Sequence, residues 1–160
     1  MRLFFVLPLL LAAAPALADG WKPYANPRFG FGYVIDLPGD FRTVSEADNG
    51  DGITLQSKDG KATLLVFGST VTEGTLGEDV ANRKQSEKDE GWTITYEKSA
   101  KDWMSYSGTR KDRILYVRAV SLCQGAGGYF TLEYPKAQAK LYDPTVAHLV
   151  KTLSGPPHCR

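Results

Sequence analysis

The stretch ITLQSKDGKATLLVFG, Ile53 to Gly68, sets two alternating apolar-polar runs on either side of Lys58-Asp59-Gly60-Lys61. Asp-Gly tolerates the positive φ angles of a type I′ turn, so the two runs fold back on each other as an antiparallel hairpin. A one-residue slip would turn every apolar side chain to the wrong face, so the alternation sets the register too. The same period of two runs from Phe29 to Leu37, where Pro38 ends it, and returns after Trp92. There Trp92, Ile94 and Tyr96 point one way and Thr93, Thr95 and Glu97 the other, followed by WMSYSGT, ILYVRAVSLC and YFTLEYP. Consecutive strands joined by short turns make an antiparallel meander, with the glycines of QGAGG, Gln124 to Gly128, as a flexible hairpin loop.

Two segments break this period. Thr75-Leu76-Gly77-Glu78 fits a capping box, in which the Thr hydroxyl and the Glu carboxylate satisfy orphan amides at a helix start. The helix runs to Glu90 and Gly91 closes it; Leu76, Val80 and Ala81 form a thin apolar face, and Asp79, Arg83 and Glu87 are spaced for ion pairs. A second helix begins with Asp143 as N-cap and Pro144 at its first position, and lays Val146, Leu149, Val150 and Leu153 on one face. Strands, helix, strands, helix is the order of an α+β fold on a mostly antiparallel sheet of about six or seven strands. Thr93, Thr95 and Glu97, with Thr131 and Glu133, occupy polar positions of the meander, so part of one sheet face is expected to be open to water.

The chain opens with MRLFFVLPLLLAAAPALADG: Arg2, an apolar run from Leu3 to Ala14, and the small-x-small site Ala16-Leu17-Ala18. This is the pattern of a signal peptide, residues 1–18, cleaved between Ala18 and Asp19. A membrane anchor needs about 20 apolar residues, and this run is shorter and interrupted by Pro8. Residues 19–160 are then one domain, periplasmic or secreted, with no membrane insertion after cleavage. The whole chain has 19 basic and 18 acidic residues, and Arg2 belongs to the removed segment, so the remainder is balanced. An even mixture of both signs excludes a dedicated nucleic-acid binder, which gathers Lys and Arg on one patch. Two cysteines in an exported chain favour a disulfide, Cys123 to Cys159, tying the tail SGPPHCR to the sheet.

Little else is chemical. DNGDGITLQSKDG, Asp48 to Gly60, can be laid on a calcium-loop pattern with Asn49, Asp51 and Gly52 in place, but Ala47 and Lys58 then stand where the first and the bidentate carboxylates belong. Asp and Asn before Gly are also ordinary turn material, and no metal or other cofactor is assigned. His148 sits off the apolar stripe of its helix and His158 in the Pro-rich tail, and there is no G-x-S-x-G elbow, so no catalytic residue is assigned. Glu97 and Glu133 are the carboxylates that a hydrolase acting from the open sheet face would use. Among the aromatic residues, Trp92 and Trp103 are expected in the core, while Trp21 and Tyr24 lie outside the main strands and are the candidate partner contacts.

YANPRFGFGYVIDLP, DNGDGITLQSKDGKATLLVFG, GWTITY and WMSYSG, in that order, resemble small exported bacterial proteins of the PsbP-like fold superfamily. The resemblance spans most of residues 24–134 and implies an α/β/α sandwich around an antiparallel sheet. That superfamily includes the extrinsic oxygen-evolving photosystem subunit and a nuclear-import factor that binds a small GTPase. It implies a non-catalytic accessory or binding role toward an unknown protein or small ligand, and no functional residue carries over. The alternatives are the hydrolase above and a structural or stress-related envelope protein.

Export and oxidation make one joint prediction. The intact mass of the exported protein should correspond to a chain beginning at Asp19 and rise by about two daltons on reduction as the disulfide opens. An unchanged mass would rule out the Cys123–Cys159 bridge.

Overall fold

The computed structural model describes residues 20–28, 32–71 and 74–156. Its centre is a seven-stranded antiparallel sheet in the order β3-β4-β5-β9-β8-β7-β6, formed by Phe41–Glu46, Gly52–Ser57, Thr63–Thr70, Ala126–Pro135, Arg113–Ser121, Trp103–Arg110 and Thr93–Ala100, respectively. A separate two-stranded ladder pairs β1, Lys22–Asn26, with β2, Tyr33–Leu37. Helix α1, Leu76–Asp89, lies on one face of the large sheet, and the β1-β2 ladder and α2, Ala139–Thr152, lie on the other. This is the α+β sandwich read from the alternation, with two further strands.

The hairpin expected from Asp59-Gly60 forms as β4-β5, but not through a type I′ turn: Gly60 has φ 71° while Asp59 has no positive φ. Ser57 N donates to the Ala62 carbonyl across the loop 58–61, with Ser57 Oγ donating to Asp59 Oδ1 at 2.7 Å. Alternation then divides the sheet. Leu64, Val66, Phe130 and Leu132 point toward α2 and are fully buried, with Tyr33, Ile35, Leu149 and Leu153 packed against them. Each such side chain contributes about 1.5–3 kcal/mol by leaving water. The opposite face carries a smaller cluster of Val80, Trp92, Tyr106, Leu115, Val117, Ala119 and Tyr129 beneath α1. The capping box is present, with Glu78 N donating to Thr75 Oγ1 and Thr75 N to Glu78 Oε2, but Val80 is the one buried residue of α1 and Ala81 is exposed.

Several expectations are corrected. Ala126 to Gly128 are not a loop but the buried start of β9, and the preceding turn is a short 3-10 segment, Cys123–Gly125. The absence of side chains at Gly127 and Gly128 is what makes room: a methyl group at Gly127 would stand 2.6 Å from the Tyr129 hydroxyl, whose ring folds back over that position. Helix α2 starts at Ala139 rather than at Asp143, which places Pro144 inside it. The extra turn buries Tyr142 against Tyr134, ring centroids 4.9 Å apart, and that packing outweighs the backbone hydrogen bond lost at the proline. In β6 a bulge between Ile94 and Tyr96 breaks the period of two: Ile94 pairs with Gly108, and Tyr96 pairs with Ser107. Tyr96 therefore leaves the face of Ile94 for the α2 side, and Glu97, paired with Tyr106, takes the α1 side.

His148 is not a solvated helix residue. Its ring stacks on Trp21 with centroids 3.7 Å apart and planes 11° from parallel, while Nε2 meets Asp36 Oδ2 at 2.8 Å. Thr152 Oγ1 donates to the His148 carbonyl and accepts from Asp36 N, and Val34 and Ser154 exchange backbone hydrogen bonds beside it. The start of the described chain, β2 and α2 are thus fastened at one point. Replacing Trp21 by Ala should lower stability in urea unfolding by about 1–3 kcal/mol. A cycle with His148→Ala should show coupling of about 0.5–1.5 kcal/mol, and additive losses would refute the clamp.

Candidate functional site

A trough opens where α1 covers only part of its face of the sheet. Helix α1 leans over β6, β7 and β8 and leaves β5 and β9 partly bare, so Leu65 of β5 remains 37% exposed. The floor is laid by cross-strand pairs, Leu65 with Thr131 and Phe67 with Tyr129. Asp79, Arg83, Ser86, Glu87 and Glu90 recur at helical spacing along the edge of α1 that faces this floor. The enclosed volume is about 390 Å³, and a second space of about 300 Å³ over β4 shares Leu65, Phe67 and Arg83 with it.

Arg83 is the centre of the trough. Its guanidinium lies 5.0 Å from the centroid of Phe67 and 4.6 Å from that of Tyr129, whose rings stack on each other at 4.9 Å. Arg83 Nε also meets Asp79 Oδ2 at 2.7 Å, and Tyr129 Oη donates to the same oxygen at 2.5 Å. Because the Tyr129 ring lies back over Gly127, its hydroxyl reaches the first turns of α1. Burial alone would raise the Asp79 carboxyl, but the hydrogen bonds from Tyr129 and Arg83 win and hold it below its ordinary range. Burial likewise opposes the Arg83 charge, and Asp79 more than restores it.

At the other end Arg110 stacks over Trp92 at 4.5 Å and donates through Nη1 to the Glu90 carbonyl at 3.2 Å. Arg113 Nε donates to Glu133 at 2.8 Å, while its Nη1 donates to the Lys61 carbonyl. Between the two ends stands Glu87. Burial raises its carboxyl above the ordinary range, only partly offset by the Tyr106 hydroxyl, and raises Tyr106 as well. Neither Glu87 Oε2 nor Tyr106 Oη has a hydrogen bond within 3.5 Å.

The residues singled out from sequence are distributed as follows. Trp21 is half-buried in the His148 clamp, and Tyr24 packs on Tyr33 at 6.1 Å, so both serve the fold beside any contact role. Trp92 is 4% exposed as expected, whereas Trp103 is partly exposed beneath the Arg118 guanidinium at 4.0 Å. Cys123 opens the short turn before β9, and no free cysteine is found among the described residues. Ala18, Asp19, Cys159 and His158 lie outside the described residues. In the former calcium-loop segment Asn49 Nδ2 donates to Asp51 Oδ2 at 2.6 Å, and Asn26 Nδ2 donates to the Gly50 carbonyl, so these groups hold a turn. Glu97 and Glu133 share a sheet face but stand on strands three apart, roughly 14 Å at ordinary strand spacing. Each is also tied to its own cation, Lys84 at 2.5 Å and Arg113 at 2.8 Å. The paired carboxylates of a glycosidase stand about 5–9.5 Å apart, so this pair is not one.

No protein-family model and no curated protein matches the chain. It is similar to the solution structure of cyanobacterial PsbP (CyanoP) from Synechocystis sp. PCC 6803, with a TM-score of 0.66 over 91% of this chain and 98% of that one, at 10% identity. The fold is PsbP-like. At this identity the likeness concerns the course of the backbone. The polar edge of α1 had been legible only as surface ion pairs, because nothing in its spacing says that β5 and β9 lie uncovered beside it.

Glu87 gives a pH test of the trough. Its raised carboxyl means that folding favours the protonated form, so its contribution is full below the ordinary Glu range and is lost as pH rises through the folded value. Glu87→Gln should match the wild type in urea unfolding near pH 4 and exceed it increasingly toward pH 7. A stability difference that does not change with pH would show that Glu87 is not held in a desolvated position.

Proposed function

We propose that this protein is an exported, non-catalytic accessory protein that uses the trough beside α1 to receive a partner segment or small ligand. The supporting observation is how the charged side chains of the trough are arranged. Arg83, Asp79 and Tyr129 satisfy one another, Arg113 satisfies Glu133, and Arg110 lies against Trp92 and the end of α1. They surround an apolar floor of Leu65 and Phe67 and do not converge on a point where a reacting atom would sit. A general acid or base must reach the reacting group from a defined position. The ion-paired side chains are turned toward their neighbours, and Glu87, which has no hydrogen bond at Oε2, stands beside an equally unpartnered Tyr106 hydroxyl with no nucleophile paired to either. Pre-formed, internally satisfied charges around exposed apolar surface suit recognition, since little ordering remains to be done on binding.

The PsbP-like fold is consistent with an accessory role. Among the described residues no helix is long and apolar enough to cross a membrane. Export rests on the leader of residues 1–18, and periplasmic or secreted location is part of the same proposal.

The test uses the mature protein as bait in periplasmic extract at physiological salt, beside the variant Leu65→Asp. Leu65 is 37% exposed, so the fold should survive a charge there. A partner retained by the wild type and lost by the variant is the expected result. Recovery of nothing specific, or equal recovery by both chains, would count against the trough as the contact surface.

A further inference from the structure

On the opposite face of the sheet a second cleft lies between α2 and the strands β6 to β8. This open cleft has a volume of about 360 Å³, within the lower range of small-ligand sites. Tyr96, Tyr116 and Tyr134 furnish its aromatic surface, Ser107 and Thr109 its hydroxyls, and Asp143 of α2 a single carboxylate. We propose that this cleft binds a neutral carbohydrate, stacking a sugar ring on Tyr96 and Tyr116 and taking its hydroxyls on Ser107, Thr109 and Asp143.

The bulge in β6 is the first support. A regular strand would place Tyr96 on the side of Ile94, under α1, but the extra residue Thr95 turns it to the α2 side opposite Ser107. Bulges are common on edge strands, and β3 at the other edge has one too, but this one also re-aims a large side chain. The ring it re-aims is 45% exposed and is the one aromatic among the exposed large hydrophobic side chains of the described residues. Ser107 separates Tyr96 from Tyr116 in the cross-strand row and is small enough for the two rings to lean together, centroids 6.5 Å apart and planes 24° from parallel. Tyr116 in turn stacks on the fully buried Phe130 at 6.0 Å, so the Tyr116 side of the platform is backed by the core.

The chemistry of the lining selects the ligand. No Lys or Arg lines the cleft, and Arg118, near Tyr96 and Tyr116, is engaged over the Trp103 ring at 4.0 Å and with Ser105 Oγ at 3.1 Å, which leaves a phosphate or other anion without a free counter-charge beside Asp143. Among the described residues, Ser107 Oγ, Thr109 Oγ1 and the Asp143 carboxylate have no hydrogen-bond partner, although the Ser107 carbonyl accepts a long bond from Thr95 at 3.5 Å. These groups are available to a ligand that both donates and accepts. A sugar does both, and its C–H faces meet the electron-rich faces of tyrosine rings. A proline-rich peptide also seeks tyrosine platforms, but proline lacks an N–H and would leave the acceptor-only carboxylate of Asp143 unmet.

Isothermal titration of the full mature protein with cellotetraose, chitotetraose, maltotetraose and a decaproline peptide decides the matter. At least one tetrasaccharide should bind saturably with a dissociation constant below about 10 mM. Tyr96→Ala and Asp143→Asn should each weaken it by about tenfold, while Leu65→Asp, in the trough on the other face, should leave it unchanged. Both cleft residues are solvent-exposed, so their variants should fold, and unchanged thermal midpoints check this. No saturable binding of any tetrasaccharide, binding indifferent to both cleft variants, or tighter binding of decaproline that Tyr96→Ala abolishes would each overturn the assignment. Because the control variant lies in the trough, failure here and failure of the accessory role there are read separately.

Discussion

The pairing of β5 with β9 is the contact on which the rest of the structure depends. It joins Thr63–Thr70 to Ala126–Pro135 in antiparallel register, from Thr63 opposite Glu133 to Thr70 opposite Ala126. Everything between, α1 and the strands β6, β7 and β8, is a closed excursion that must return to meet it. Neither hairpin half has a complete core alone: β3-β4-β5 ends in an unpaired edge at β5, and the meander ends in one at β9. Closing so long a loop is entropically unfavourable, and it is offset because both faces of the pair are apolar at once. Leu64 and Val66 meet Phe130 and Leu132 on one side, and Phe67 stacks on Tyr129 on the other. The same Phe67–Tyr129 pair then becomes the seat of Arg83, so the interaction that unites the sheet also places the trough.

What was legible in the sequence were the local devices. Asp59-Gly60 closed its hairpin, though by a four-residue loop with only Gly60 at positive φ, Thr75 and Glu78 formed their capping box, and the meander its ladders, because each depends on neighbours a few residues away. Strands β1 and β3 were not legible, since an edge position removes the signal that alternation supplies. In β3 only Phe41 is buried and Arg42 to Glu46 are exposed; in β1, with Pro23 inside it, only Asn26 is buried. The glycines before Tyr129 read as a loop because what they accommodate, the ring folded over Gly127, lies outside any local pattern. Tyr96 read as a partner of Ile94 for a similar reason: a bulge is decided by strand pairing and leaves no mark on the alternation.

Site geometry was less legible than fold, and for a physical reason. Asp79, Arg83 and Glu87 have the spacing of solvated ion pairs, and on a free helix they would be that. Placed beside a half-covered sheet they diverge. Asp79 and Arg83 gain a tyrosine hydroxyl and two aromatic faces, whereas Glu87 is drawn over Tyr106 and loses solvent without gaining a cation. Side chains four residues apart on one helix thus acquire opposite electrostatic characters from the strand each happens to face.

The two faces of the sheet also differ in kind. On the α1 side, charges are numerous and, Glu87 apart, mutually satisfied around an apolar floor, the kind of surface that the proposed recognition role calls for. On the α2 side the lining beyond the Trp21–His148 clamp is aromatic and hydroxylic, with one carboxylate and no cation. The clamp bears on this second surface through α2 itself: Trp21 and Asp36 grip His148, while Asp143, five residues earlier on the same helix, faces the tyrosines. A helix fastened at that point keeps its carboxylate at a set distance from a platform that is itself backed by Phe130. Walls tied into the fold on both sides of a cleft let a few weak polar contacts discriminate among similar ligands, because less of the binding energy goes into ordering them.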